Sequence, residues 1–136
     1  MISYYRTPAR TLERLLPPDA AIVDGSSRTV WLSGVWGWDE DEVLRVGDSG
    51  GQTRLAMRNL ESILVELGGS LGNLVRTVIY VVSLDDGTNL DHAWEAYVEV
   101  LGENQPTTTI VGVTRLGRSD TLEALVEIEA TAVLPA

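Results

Sequence analysis

The apolar positions of this chain alternate between two periods. Residues 28–35, RTVWLSGV, are rich in β-branched and aromatic side chains and follow the turn signal Asp24-Gly25-Ser26-Ser27, which predicts a strand. A shorter run at 20–23 is a candidate hairpin partner for it. Over 49–67 the period lengthens. Met57, Leu60, Ile63, Leu64 and Leu67 recur at helical spacing, with Asp48 or Ser49 as cap and Gly68-Gly69 as stop. Residues 75–84, VRTVIYVVSL, form the clearest strand. A second helix over 89–101 carries Leu90, Trp94, Tyr97, Val98 and Leu101 on one side and stops at Gly102. Two further strands are expected at 107–114 and 125–134. The acidic, Gly-rich stretch GWDEDEVLRVGDSGG, starting at Gly37, reads as loop.

The order is therefore ββ-α-β-α-ββ, with no internal repeat, linker or low-complexity segment. It predicts one α+β domain spanning 1–136, with 1–19 as an N-terminal extension and 20–134 as the core. A single mixed sheet would carry both helices on one face. In the central strand, Val75, Thr77, Ile79 and Val81 point one way, and Val78, Tyr80 and Val82 the other. Two helices cover only one of these faces. The second is apolar too, so another chain is expected to cover it, with the N-terminal segment as the competing cover.

Composition narrows the chemistry. The chain has no cysteine and one histidine, His92, which leaves no thiolate nucleophile, zinc–thiolate site or histidine cluster. No metal held by thiolates or clustered histidines is expected. The net charge is −10, from 20 acidic and 10 basic residues, and every basic residue is arginine. Such a field repels phosphate backbones and anionic membrane surfaces, so neither nucleic acid nor membrane is an expected partner. The first residues lack the apolar core and cleavage site of a secretory signal, and no apolar run approaches the roughly 20 residues of a membrane span. A cytoplasmic location is the resulting expectation.

The elements and the phrases at their joints resemble the Rid superfamily, reactive-intermediate or imine deaminases also grouped as endoribonuclease L-PSP proteins. The resemblance rests on TVWLSG at 29–34, GGQTRLAMRNLESILVELGGSL at 50–71, VRTVIYVVSLDD at 75–86 and WEAYVEVL at 94–101. It continues through Pro106, TRL at 114–116 and VEIEATAVL at 126–134. It implies a chorismate-mutase-like fold and a homotrimer whose sheets face inward as a barrel-like core. Ligand clefts would then lie between subunits. It further implies hydrolysis of imino or enamine acids to keto acids and ammonia, without metal or cofactor. The ribonuclease label sometimes attached to the family fits poorly with a charge of −10 and no basic groove.

Imine hydrolysis needs a held substrate, a placed water and a group to handle its proton. By the resemblance, Glu127 matches the glutamate that orients or activates water; against this, Glu127 and Glu129 share a strand face that can simply meet solvent. Ser33 and Gly34 match the Ser-Gly whose backbone borders the ligand. Thr108 stands where deaminating members carry a carboxylate-binding arginine, and one hydroxyl cannot replace that charged, two-pronged clamp. Arg115 is the nearest substitute cation, or else an ion-pair partner for one of many acids. Trp36 and Trp38 line an aromatic cleft or pack at the strand end. Asp91 takes the position of an amide-bearing residue near the family cleft and would disfavour anionic ligands. His92 has no partner spacing for a triad. The acidic run 39–42 lacks the pattern of a calcium loop.

Three functions are consistent with these residues. The first is hydrolysis of an imine or enamine intermediate with Glu127 positioning water. The second is an enzyme of a specialised pathway acting on a neutral carbonyl, enamine or ring-forming substrate in the same pocket. The third is a non-catalytic ligand-binding or regulatory trimer.

Overall fold

The computed structural model describes residues 1–5, 18, 20–39, 48–84, 86–117 and 123–136. Its strands are β1 (Ile2–Tyr5), β2 (Ala20–Val23), β3 (Ser27–Trp36), β4 (Leu74–Val82), β5 (Thr107–Val113) and β6 (Val126–Pro135). Its helices are α1 (Ser49–Glu66) and α2 (Thr88–Leu101). The helix ends follow the local chemistry. Asp48 accepts a hydrogen bond from Gly51 N at 2.6 Å, and Gly68, at φ 85°, turns the chain out of α1. Gly102, at φ 58°, does the same after α2.

Four strands form one sheet in the order β3-β6-β4-β5, antiparallel except for the parallel β4–β5 pair. That parallel pair needs a crossover, which α2 supplies. Both helices pack on the same face of the sheet, as the element order predicts. There Thr77, Ile79 and Val81 of β4 and Val126, Ile128 and Ala132 of β6 are fully buried beneath Met57, Leu60, Leu64 and Tyr97. Ile63 and Leu67, on the same helical stripe by spacing, fall at its margins and are about 39% and 41% exposed.

Two expectations need correction. The run at 20–23 pairs with β1, not with β3, in a separate two-stranded ladder. Gly25, at φ 86°, turns the chain after β2, and the next strand enters the main sheet beside β6. The second sheet face is also less apolar than β4 alone suggests. Register aligns Val78 with Glu129, Tyr80 with Glu127 and Arg76 with Thr131, so acids and an arginine are interleaved with the hydrophobes. Trp31 remains 78% exposed on β3. At one end of this face, Ala21 and Val23 of β2 border a groove shared with Arg76, Thr107 and Thr131. The described N-terminal strands thus reach one end of the face.

Between sheet and α2 lies a buried polar cluster. Tyr97 Oη shares hydrogen bonds with Thr77 Oγ1 and with Thr108 Oγ1 at 2.8 Å, and the two threonines meet at 3.0 Å. Burial pushes the Tyr97 hydroxyl up to about 12, while the bonds to Thr108 and Thr77 act in the opposite direction. A folded-state value above the unfolded one means stability that is whole below pH 10 and is lost as pH rises towards 12. Tyr97→Phe is expected to remove this alkaline loss. It should also lower stability at neutral pH by about 1–2 kcal/mol, since two buried hydroxyls lose a partner. Denaturant unfolding at both pH values tests the pair of effects. Among the described residues, no helix is long and apolar enough to cross a membrane.

Candidate functional site

The pairing of β3 with β6 slips between Leu32 and Val35, which sets a bulge at Ser33-Gly34. Beyond the bulge, Trp36 lies opposite Glu127. The absent side chain at Gly34 is what lets the Glu127 side chain lie across this strand. A Cβ at position 34 would come within 2.6 Å of Glu127 Cδ and 2.8 Å of its Cγ. Gly37 is equally constrained, since a Cβ there would stand 2.7 Å from the backbone oxygen of Gln52.

Helix α1 fixes both strands that shape this region. The Asn59 amide nitrogen donates to Trp36 O at 2.9 Å and Trp38 O at 3.0 Å, strapping the chain after β3 to the helix. Gln52 Nε2 donates to Glu123 O at 2.9 Å, and its Oε1 accepts from Leu125 N at 2.7 Å, which anchors the entry into β6. The Trp36 and Trp38 rings stand 5.5 Å apart at 34°. The Trp36 indole N–H is buried with no acceptor among the described residues.

Together these elements enclose an open cleft of about 500 Å³, lined by Gly34, Val35, Trp36, Trp38, Asn59, Ser62, Ile63 and Glu127. Of the residues singled out from sequence, it brings together Gly34, Trp36, Trp38 and Glu127. Ser33 is exposed beside Gly34 and is not on the lining. Thr108 faces α2 in the cluster with Thr77 and Tyr97, outside this cleft. Arg115 is exposed just past β5, on the far side of β4 from β6, and Asp91 is exposed in the first turn of α2. His92 is exposed as well. Of the acidic run, residues 40–42 lie outside the described residues.

Sequence reasoning missed the helical wall. Asn59, Ser62 and Ile63 recur at helical spacing on the flank of the buried stripe, and that polar amide beside an apolar stripe was the available signal. Beside the cleft, partial burial pushes the Tyr80 hydroxyl up. The Glu129 carboxylate that it hydrogen-bonds acts the same way, and Arg76 opposes. Among the described residues, no group of three or more potential ligands could hold a metal ion.

The Endoribonuclease L-PSP family matches residues 19–134 of this sequence. The chain belongs to that family. The Rid resemblance read from the sequence is thereby borne out. A RutC family protein of Pyrococcus abyssi is 35% identical over 86 residues, which are 63% of this chain and 62% of the relative. A 2-iminobutanoate/2-iminopropanoate deaminase of Salmonella typhimurium is 29% identical over 86 residues, 63% of this chain and 64% of the relative. The matched stretch thus spans about 62–64% of the length of these curated relatives. The crystal structure of the Rid-family protein YyfB of Yersinia pestis shares the fold, with a TM-score of 0.79 at 24% identity over 98% of both chains.

Proposed function

We propose that this Rid-family protein hydrolyses an imine or enamine intermediate, with Glu127 positioning the attacking water. The observation that carries the reading is the Glu127 carboxylate lying against the Gly34 backbone on the wall of a cleft with two tryptophans. Water held by Glu127 adds to the C=N carbon, and its proton passes through the carboxylate to the nitrogen. Collapse of the carbinolamine then forms C=O and releases ammonia. A relative named for 2-iminobutanoate and 2-iminopropanoate deamination supports this reaction class. Ammonia release from imines generated in the assay tests it; equal rates with and without the protein would discard the reading.

The working assembly in this reading is a cytoplasmic homotrimer whose sheet faces meet, with the cleft completed at the subunit boundary. Trp31, 78% exposed on the helix-free face, is a side chain that this arrangement would cover. Light scattering at micromolar concentration is expected to give three times the chain mass of 14.8 kDa. A mass equal to one chain would count against both the assembly and the shared cleft.

A second reading is favoured by one observation. Among the described residues, the cleft lining carries no cation to hold a carboxylate, which suits a carboxylate-free carbonyl, enamine or ring-forming substrate.

A further inference from the structure

The charge of the cleft defines its ligand more narrowly than the reaction class does. Among the described residues, its one ionisable lining group is Glu127, an acid. None of the described arginines lines it. Arg28 hydrogen-bonds Pro135 O at 3.3 Å, Arg54 pairs with Glu99 at 2.7 Å, and Arg58 is exposed on α1. Arg76 shares the helix-free sheet face with Glu127, where both act on Tyr80, but it is off the cleft lining, and Arg115 follows β5. A ligand carboxylate in this cleft would meet the Glu127 carboxylate with no opposing charge on the described walls, which is unfavourable at any effective dielectric.

The same walls suit a cation. Trp36 and Trp38 pack on each other, with ring centroids 5.5 Å apart and tilted by 34°, and both line the cleft together with Glu127, so a cation bound there has indole rings and a carboxylate as its walls. Tryptophan is the best of the aromatic partners for such contacts. A volume of about 500 Å³ fits a ligand of one or two rings. The net charge of −10 gives the whole molecule a field that concentrates cations and depletes anions at its surface.

We infer that the cleft selects a planar, positively charged nitrogen compound without a carboxylate, held between the Trp36–Trp38 pair and the Glu127 side chain. This rests on the proposed hydrolysis, for which the fitting substrate is a protonated imine. The step balances: one iminium cation and one water give one neutral carbonyl compound and one ammonium ion. Water forms the C–O bond, the C=N π pair moves to nitrogen, Glu127 relays the proton, and the C–N bond breaks as the carbonyl forms. The positive charge enters on the iminium and leaves on ammonium, so the acid faces a cation at both ends of the reaction.

The test uses three near-isosteres that differ in charge: benzamidinium, benzamide and benzoate. Binding is followed by calorimetry and by tryptophan fluorescence. Benzamidinium is expected to bind about tenfold more tightly than benzamide, with benzoate weakest. Glu127→Gln keeps the shape of the side chain, and the preference for benzamidinium over benzamide should fall to near parity. Trp38→Leu, which leaves Glu127 intact, should also reduce the preference and serves if the first variant does not fold. The inference is overturned if benzoate binds as tightly as benzamidinium, if none of the three binds, or if the folded variants retain the preference.

A parallel assay follows ammonia release from freshly generated 2-iminobutanoate and from cyclohexanone imine. Charge-selective, Glu127-dependent binding without hydrolysis of either imine sinks the proposed reaction and leaves the ligand class standing. Fast hydrolysis of 2-iminobutanoate with benzoate as an inhibitor does the reverse.

Discussion

Glu127→Ala is expected to lower the rate of imine hydrolysis by about 10²–10⁴-fold, the span that a positioned general base supplies. The residue is well suited to report on chemistry alone. Glu127 is half-buried on the helix-free side of β6, while its neighbours Val126 and Ile128 are fully buried on the other side and fix the strand. Truncation therefore removes the carboxylate without opening the core, and the unfolding midpoint should change little. Glu127→Gln should lose nearly as much rate, because an amide can still hold water but cannot accept its proton. Initial rates of ammonia release, set beside the thermal midpoint of each variant, separate the two effects. A variant that folds as the parent does and keeps its rate would remove Glu127 from the mechanism.

What the sequence made legible is what short-range physics determines. The helices were readable because spacing, caps and stops agree at the same places: Asp48 before α1, Gly68 after it and Gly102 after α2. The two faces of β4 were readable because a strand alternates by two. The Glu127 and Gly34 pairing was only half legible. Each residue stood out by resemblance, but their contact depends on a β3 bulge that sets Trp36 opposite Glu127. Register decides more still at Thr108. The parallel β4–β5 ladder aligns it with Thr77 and turns it towards Tyr97, beneath α2, a direction that residue type cannot give. Asn59 went unnoticed for a related reason. Its place on the flank of the α1 stripe marks the position, but the two backbone carbonyls that it holds belong to a distant segment that spacing cannot name. The strand at Ile2–Tyr5 lay in a segment read as an extension, because four residues carry too little pattern to announce a ladder.

Gly34→Ala is expected to cost about 10–10²-fold in hydrolysis while leaving the fold nearly as stable, a contrast that probes geometry instead of chemistry. The added methyl cannot coexist with the Glu127 side chain where it now lies, since it would meet Cδ at 2.6 Å and Cγ at 2.8 Å. Position 34 is exposed and its φ is outside the left-handed region, so alanine meets no backbone penalty there. The flexible carboxylate must give way, and it does so by rotating off the wall of the cleft. A displaced acid still exists and still titrates, so the loss should be smaller than that of Glu127→Ala. The two changes should also be far from additive, because both act on one carboxylate. If the double variant loses the product of the two single losses, Gly34 acts by some route other than seating Glu127. If Gly34→Ala keeps full activity, the observed seat of the carboxylate is not the one used in catalysis.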